Sequence, residues 1–354
     1  MPPRPGSDAK NMKATTTSSA VSSKATRYRA LLPRAPSAAI IFLGVVTVWL
    51  LIGLSWRPVI LLLIWACGFA GARVVSERGS LAVPIIIVGL LGFAFLVDAR
   101  GTLSAGAAAG PLGYANAKAA LYAQGAIAAG IIAFTARSRK WVLIGACMAT
   151  LFALVPLVSG SFAGAVALCG VVTLQFVPRR WARVGVIGCG LVFIVVLVTS
   201  LLVASGAADS PSLLNLDERR LALWRDAWNV MADFPVWGAG DGAWIETSAV
   251  ASANADASWV HNEFLQIGAE HGVPALLFAA TIVGWLLVSF ARVAPRDARM
   301  SLLGAGAVTI FAVHACVDYI GHFALVPVVT ALVAGTALGA ARRAPIRTAQ
   351  WTRL

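Results

Sequence analysis

Charged residues are scarce in this sequence. Asp, Glu, Lys and Arg make up 12% of its 354 residues, against a share of about 25% in typical soluble domains. Apolar residues make up 59%, and the mean hydropathy is +0.82. This composition excludes a water-soluble enzyme, and it also excludes a disordered chain, which would contain fewer apolar residues. At about 20 residues per span, the apolar residues suffice for about ten transmembrane helices.

Cysteine is also rare, and its positions exclude two uses. All five cysteines lie inside apolar runs, and none has the spacing of a metal site. Disulfide bonds and cysteine-bound metals are therefore not expected. The sequence predicts that all five are small, buried, apolar side chains; they are Cys67, Cys147, Cys169, Cys189 and Cys316.

The apolar runs predict an all-α polytopic membrane protein with about ten transmembrane helices. These spans lie near 38–54, 58–72, 81–97, 119–135, 141–158, 162–177, 184–204, 273–291, 302–320 and 323–340. With the N-terminus in the cytoplasm, 22 of the 28 Lys and Arg residues fall on the cytoplasmic side, which is the positive-inside pattern. The net charge of +13 is therefore a topology signal and not a nucleic-acid footprint.

The spans divide the chain into five regions. Residues 1–36 are rich in Ser, Thr, Ala and Pro and are expected to form a disordered, basic cytoplasmic tail. Residues 37–204 hold spans one to seven, and residues 205–272 form one large external loop. Residues 273–341 hold spans eight to ten, and residues 342–354 form a second basic cytoplasmic tail. An external loop of this length is usually functional when it is ordered.

The external loop has the composition of an ordered cap on the membrane surface. It holds ten of the fifteen acidic residues, and its five tryptophans favour a membrane interface. Asn215 and Glu218 have the spacing of a capping box, so a helix is predicted from there to Pro235. Its apolar face is expected to lie in the interface; the face consists of Leu221, Trp224, Trp228 and Met231.

Several residues of this loop can carry chemistry. Arg220 places a guanidinium at the edge of the apolar face, where a snorkelling surface charge is the plainer interpretation. Gly238 and Gly240 allow a backbone to approach a ligand closely. His261 and Asn262 begin the stretch that re-enters the membrane. There His261 can either accept a proton near neutral pH or serve a structural role at the helix start.

A second polar group lies around the outer end of span nine. His314 and Asp318 are four residues apart and are expected to share a helix face. Ionisable groups at membrane depth are functional candidates by default. Cys316 and His322 do not converge with them on one helix face, so a metal site is not expected.

Four segments in this order, RLALW, PVWGAGDGAW, HNEFLQIGAEHG and HACVD, resemble the O-antigen ligase/polymerase family. The similarity is strongest over 216–275, and GPLGYANAKAALYA at 110–123 resembles the family's segment around an Asn–Ala pair. The resemblance implies a GT-C-like helical membrane fold with interfacial helices in the external loop. It also implies a glycosyltransferase that needs no metal or cofactor and works at the outer face of the bacterial cytoplasmic membrane. The donor would be a glycan on undecaprenyl pyrophosphate, and the acceptor a hydroxyl of a glycolipid or glycan.

Matched position by position, the resemblance implies roles for single residues. Arg220 would bind the donor diphosphate, and His261 would be the catalytic base. Asp318 corresponds to an acid in a late span that orients a partner. Arg225 and Arg100 are further candidates for binding the diphosphate. Supporting roles fall to Asn262, His314, Trp224, Gly238 and Gly240.

The sequence departs from the family at one position. The segment LVSGSFAG carries Gly160 where the family usually has the arginine of a Ser-Arg-Gly element. One of two diphosphate-binding arginines is therefore missing from its usual place. A basic residue elsewhere on the outer side could replace it, namely Arg57, Arg100, Lys118 or Arg225. Otherwise the substrate has changed or the activity has been lost.

Other functions remain open from the sequence. A transporter or flippase of lipid-linked glycans could use the loop as a gate, but the concentration of polar residues on one side favours surface chemistry. An inactive scaffold of the same fold is a further alternative. An intramembrane serine protease is disfavoured, because Ser159 and Ser161 are not part of a G-x-S-G element. Ligase and polymerase both remain open; the acceptor is a lipid-core sugar for a ligase and a growing glycan for a polymerase.

Overall fold

The computed structural model describes residues 56–99, 112–209, 217–253 and 258–343. Within these ranges the chain forms α-helices, two 3-10 turns (Arg179–Trp181 and Ile320–His322) and no β-strand. The all-α prediction is thereby confirmed. The helices are α1 (Trp56–Glu77), α2 (Ala82–Val97), α3 (Ala115–Thr135), α4 (Arg139–Val158), α5 (Phe162–Leu174), α6 (Ala182–Ala204), α7 (Glu218–Asp233), α8 (Trp244–Thr247), α9 (Ala249–Ser252), α10 (Glu263–Val293), α11 (Ala298–Ala315) and α12 (Leu325–Arg343).

Seven of the described helices are long and apolar enough to cross a membrane: α1, α3, α4, α6, α10, α11 and α12. A helix stands at nine of the ten predicted spans, whereas the first span, 38–54, lies outside the described residues. Of these nine helices, α2 has 16 residues and α5 has 13. They extend about 24 and 20 Å, less than the hydrocarbon thickness of about 30 Å. The total of about ten spans therefore stays a prediction.

Three helices form the centre of the bundle. Within the spanning windows, 83% of α3, 78% of α11 and 72% of α12 are buried, against 17% of α1. α3 packs on α4, and α11 and α12 pack on each other and on the outer helices α1, α5 and α6. Small residues permit this close approach. A Cβ atom on Gly335 would lie 2.3 Å from the Phe69 carbonyl oxygen of α1, so α12 and α1 touch through their backbones.

The bundle has one basic end and one end that carries the candidate site. At the basic end, where α3 ends and α11 begins, the Arg299 guanidinium lies 5.0 Å from the Phe134 ring centroid. Arg183, at the start of α6, donates a hydrogen bond to the Ala291 carbonyl near the end of α10. At the opposite end α3 and α10 begin and α11 ends. Three segments that are distant in sequence therefore meet there.

Two helix boundaries differ from the sequence prediction. α7 is capped by Asp217, whose carboxylate accepts the Arg220 N–H at 2.7 Å. The predicted cap, Asn215, lies outside the described residues. α10 begins at Glu263, inside the predicted external loop, and continues through a kink at Gly272, where φ is 81°. Of the predicted tails, 1–36 lies outside the described residues, and the second is described only as far as Arg343, where α12 ends.

The prediction that all five cysteines are buried is wrong for three of them. Cys189 and Cys316 are buried, but Cys67, Cys147 and Cys169 are exposed on α1, α4 and α5. These outer helices turn part of their apolar surface away from the bundle. A cysteine behaves as a small apolar side chain there as well, because lipid is as apolar as a protein core.

Candidate functional site

Asp318 is the centre of a polar cluster in the turn between α11 and α12. The Tyr114 hydroxyl donates to its two carboxylate oxygens, at 2.8 and 2.7 Å. The Tyr319 backbone N–H donates to Oδ1 at 2.8 Å, and the Asn116 side-chain amide donates to Oδ2. Only 1% of Asp318 is exposed. These donors stabilise the carboxylate, since a buried charge without partners is strongly unfavourable.

Asp318 is ionised at neutral pH. Burial alone would raise its pKa, but the contact with His261, the neighbouring His314 and Arg220, and the Tyr114 hydroxyl lower the pKa to about 2. A negative charge is thereby held beside an imidazole at the end of the bundle.

His314 and Asp318 do not share a helix face, contrary to the sequence prediction. α11 ends at Ala315, and the Cys316 carbonyl accepts the Asn262 side-chain amide at 2.6 Å. Asp318 therefore projects from the turn that follows the helix. His314 is fully buried in α11, and neither of its ring nitrogens has a hydrogen-bond partner within the described ranges. Its supporting role stays a prediction.

His261 lies beside the Asp318 carboxylate, just before α10. Its Nδ1 is 3.3 Å from Asp318 Oδ1, which is an ion-pair distance, although the two groups are not aligned as a hydrogen bond. The side chain is 21% exposed, and the ring stands edge-on to Tyr319 with centroids 4.6 Å apart. Because Nδ1 faces the carboxylate, Nε2 is the nitrogen left to accept a proton.

The backbone of His261 has an uncommon conformation. Its φ is 57°, and His261 is the one non-glycine residue of the described ranges with a positive φ. Such backbone is unfavourable and is concentrated at functional sites. Trp224 Nε1 donates to the His261 carbonyl at 3.1 Å, and Asn262 caps α10 by accepting the Leu265 N–H at 3.0 Å. Trp224 and Asn262 therefore hold the backbone of His261 rather than its ring.

Arg220 on α7 is close enough for its positive charge to help lower the pKa of Asp318. The apolar face of α7 packs on α6 and α10, and Trp224 on that face is fully buried. Trp224 and Met231 on this face are buried by protein, whereas Leu221 and Trp228 are half-buried. A position of this face in the membrane interface stays a prediction.

Gly238 and Gly240 are used for backbone packing. The 235–243 loop lies against the kink of α10, where the Ala239 N–H donates to the Ala269 carbonyl at 2.8 Å and the Gly240 N–H donates to the Glu270 carbonyl at 3.0 Å. A Cβ atom on Gly238 would lie 2.2 Å from the Glu270 carbonyl carbon. The missing Cβ of Gly238 thus permits close approach to α10, whereas a Cβ on Gly240 would meet only the Ala243 side chain at 3.7 Å. A contact of either glycine with a ligand stays a prediction.

An aromatic shelf beside His261 was missed by sequence reasoning. It consists of Tyr114, Trp259, Tyr319, His322 and Phe323. Tyr114 stacks on Phe323 with centroids 5.5 Å apart, Trp259 stacks on Tyr319 at 6.0 Å, and Trp259 contacts the His322 ring at 4.0 Å. Trp259 is 37% exposed, so the shelf has an accessible side. The one available signal was the segment around the Asn–Ala pair, which contains Tyr114.

A Glu263–His322 pair borders the shelf. His322 Nδ1 lies 3.1 Å from Glu263 Oε2. Burial alone would lower the pKa of His322, but Glu263, with smaller contributions from Glu270 and Asp241, raises the pKa above its ordinary value. The pair therefore offers a hydrogen-bond donor and an acceptor next to the rings.

Gly160 forms the turn after α4. Its φ is 74°, which glycine adopts readily at the end of a helix. The Ser159 hydroxyl donates to the Pro156 carbonyl at 3.2 Å, and Ser161 caps α5 by accepting the Gly164 N–H. Both serines therefore have roles at helix ends.

The candidates to replace the missing arginine lie in different surroundings. Arg225 is exposed on α7. Lys118 is buried in α3 and is attracted by the negative charge of Asp98. The side chain of Arg57 and the whole of Arg100 lie outside the described parts of the chain. A second cation beside Asp318 is therefore not assigned.

A second cluster brings together three groups that can bind a metal. Asp241, Glu270 and His271 each offer one ligand atom, and these atoms lie within 4.8 Å of one another. Asp241 belongs to the 235–243 loop, whereas the other two belong to α10. No metal site was expected from the sequence, because no short motif joins Asp241 to the distant pair.

Residues 148–280 match the family described as O-antigen ligase. This confirms the resemblance that the motifs indicated, and the matched range includes Arg220, His261 and Asn262. Tyr114 and Asp318 lie outside the matched range, and the fold brings them to it. Among curated proteins, none matches the chain. With the seven long apolar helices, the match indicates a membrane protein.

Proposed function

We propose, from the match of residues 148–280 to the O-antigen ligase family, that this protein is a membrane glycosyltransferase. It moves a glycan from undecaprenyl pyrophosphate to an acceptor hydroxyl, with no cofactor and no metal at the reacting bond. The contact between His261 and the buried Asp318, close to Arg220, carries the proposal. A base, an acid that orients it and a cation for the diphosphate are the groups that such a transfer needs.

In this proposal His261 is the general base. The acceptor oxygen attacks the anomeric carbon of the donor sugar, and its proton passes to His261 Nε2. The bond from the anomeric carbon to the pyrophosphate oxygen breaks, and undecaprenyl pyrophosphate leaves with the bonding electron pair. Asp318 orients the ring from the Nδ1 side and stabilises the imidazolium. The proton then passes to water, which restores the neutral base.

Arg220 stabilises the leaving diphosphate. A guanidinium forms paired hydrogen bonds with phosphate oxygens, and these strengthen as negative charge develops on the leaving group. This interaction takes the part that a metal ion plays in other diphosphate sites. Arg225 and Arg100 are the candidates for a second cation, because Gly160 stands where the family usually carries an arginine.

The aromatic shelf provides a surface for the acceptor sugar. Aromatic rings pack against the apolar face of a sugar, while neighbouring polar groups bind its hydroxyls. Trp259 offers an exposed ring, and the Glu263–His322 pair supplies polar atoms beside it. An acceptor on this shelf lies next to His261, as a general base requires.

The site faces the outer side of the bacterial cytoplasmic membrane in this proposal. The basic end of the bundle, marked by Arg299 beside Phe134, faces the cytoplasm in this proposal, which the positive-inside pattern supports. The His261–Asp318 cluster lies at the opposite end. With both chain termini in the cytoplasm, a lipid-linked donor reaches the shelf from the outer leaflet.

The test is glycosyl transfer by the purified full chain in lipid nanodiscs. The donor is a synthetic glycan on undecaprenyl pyrophosphate, offered with either a glycolipid acceptor or a second donor molecule. We expect equal amounts of glycosylated acceptor and free undecaprenyl pyrophosphate. Transfer to the glycolipid alone identifies a ligase, and transfer to the second glycan identifies a polymerase.

The same preparation in sealed vesicles tests the alternatives. Movement of intact lipid-linked glycan between leaflets, without cleavage of the sugar–phosphate bond, would identify a flippase and overturn the proposal. Neither transfer nor movement with any of these substrates would point to the inactive scaffold.

A further inference from the structure

The cluster of Asp241, Glu270 and His271 lies beside the kink of α10. The first segment of α10, residues 263–271, separates this cluster from His261, which precedes the helix. His271 Nε2 is 3.9 Å from Asp241 Oδ1. Glu270 and His271 are buried, with 7% and 8% of their surfaces exposed. Asp241 is at the protein surface. The three groups therefore form a site with a buried floor and one ligand at its entrance.

The two buried side chains of this cluster, Glu270 and His271, have few hydrogen-bond partners. Glu270 Oε1 accepts the Gln266 side-chain amide at 3.2 Å. His271 Nδ1 is buried and has no hydrogen-bond partner in the described chain. Burial disfavours a negative charge on Glu270, and the charges of Asp241 and Glu263 add to this effect, whereas Gln266 and His322 oppose it. A bound cation would offset both the burial of the Glu270 carboxylate and its repulsion by these acids.

We infer that Asp241, Glu270 and His271 bind a divalent transition-metal ion, of which zinc is the best fit. Zinc accepts imidazole nitrogen and carboxylate oxygen at about 2.0–2.2 Å and takes water in a remaining position. Magnesium and calcium prefer oxygen ligands alone, so the imidazole disfavours them. Ligand atoms within 4.8 Å of one another can close on such an ion by small side-chain rotations.

The ion would link two segments that are otherwise joined through their backbones. The 235–243 loop contacts α10 through the Ala239 and Gly240 N–H groups, and the Val273 N–H donates to the Pro235 carbonyl at 2.8 Å. Asp241 adds a side-chain ligand from the same loop. The ion would therefore fix the loop on the kink of α10 and stabilise the folded protein, without taking part in glycosyl transfer.

Zinc binding by the purified full chain tests this inference. The protein in detergent is first treated with a chelator, which is then removed. It is then titrated with zinc chloride in competition with a chromophoric chelator of known affinity. We expect one zinc ion per chain, and Asp241→Asn should weaken its binding by at least about tenfold, the lower end of the loss reported for outer-sphere changes. Glu246→Gln, which changes an exposed acid on the neighbouring α8, should keep the wild-type affinity.

Thermal unfolding gives a second readout. An ion that binds only the folded state raises the unfolding temperature, so zinc should raise it in the wild type and have little effect on Asp241→Asn. His271→Ala should lose zinc as well, and size-exclusion chromatography checks that this buried substitution leaves the protein folded. Equal zinc affinity in the wild type and Asp241→Asn, or no stoichiometric zinc in the wild type, would overturn the inference. Neither measurement depends on glycosyl transfer.

Discussion

Two histidines lie at opposite ends of the first segment of α10, and the polar groups around them differ. His261 faces Asp318, whose carboxylate already has protein donors on both oxygens. His271 lies with Asp241 and Glu270, where two carboxylates and an imidazole converge. The first arrangement leaves one ring nitrogen available to a proton, and the second leaves several lone pairs available to a cation. The same residue type therefore suits proton transfer in one place and metal binding in the other.

The backbone conformations at the two sites also differ. At the first site the positive φ falls on His261 itself, at 57°, whereas at the second it falls on Gly272, beside His271, at 81°. Glycine adopts that conformation without strain, but a histidine does not. Functional sites retain unfavourable backbone conformations where these position a reactive side chain. The positive φ of His261 therefore supports its proposed role as the base.

Replacement of His261 should have the largest effect. His261→Ala removes the general base, so we expect the rate of transfer to fall by about 10²–10⁴. The measurement is the initial rate of purified variants with the lipid-linked donor, at membrane levels equal to the wild type.

Two further variants separate chemistry from stability at this position. His261→Gly should also lose activity, but it should lower the unfolding temperature less than His261→Ala does, because glycine adopts the positive φ without strain. His261→Gln retains a polar side chain without a titratable base. Near-normal transfer by His261→Gln would exclude proton abstraction at His261.

Asp318→Asn should have the next largest effect. An amide keeps the size of the side chain but removes the charge that orients the imidazole and stabilises its cation, so we expect a loss of about 100-fold in rate. Because the pKa of Asp318 is lowered to about 2, its ionised form stabilises the fold above about pH 4, and this stabilisation is lost as pH falls toward 2. The unfolding temperatures of wild type and variant should therefore converge as the pH falls through that range. A constant difference between them would contradict the assignment.

Arg220→Lys should have the third largest effect on the rate of transfer. Lysine keeps the charge but loses the paired hydrogen bonds of the guanidinium. A hydrogen bond to a charged group contributes about 1.5 kcal/mol or more, which corresponds to about a tenfold loss of rate. Arg219→Lys, a neighbouring exposed position, is the matched control. A loss of less than about threefold, roughly 0.7 kcal/mol, would reassign Arg220 to the protein surface.

Much of the helical fold could be predicted because it depends on local composition. Runs of apolar residues mark helices in a membrane whatever their partners are, and nine predicted spans coincide with described helices. Features that depend on tertiary contacts were not predicted. The end of α11 at Ala315 lies where Asn262 binds the Cys316 carbonyl. The apolar face of α7 packs on α6 and α10. Neither contact leaves a local pattern in the sequence.

The candidate site divides in the same way. His261, Arg220 and Asp318 belong to short segments that resemble a family, so each could be named in advance. The hydrogen bonds of Tyr114 and Asn116 to Asp318 join residues about 200 positions apart, and they depend on how α3 packs beside α11. In the 235–243 loop, the alternating glycines were evident from the sequence. Their packing against α10 was not, because it depends on the tertiary fold.

His271→Ala should have the smallest effect on transfer, although His271 is the more deeply buried histidine of the two. It lies at the opposite end of the first α10 segment from His261, so its loss should reach the reaction only through the stability of the loop and kink. We expect a loss of rate below about tenfold, less than the general-base range, together with a lower unfolding temperature, because a buried side chain is removed. His261→Gly should give the opposite balance, with little transfer but a smaller loss of stability than His261→Ala. If His271→Ala instead abolished transfer while its unfolding temperature stayed at the wild-type value, the assignment of the base to His261 rather than His271 would be wrong.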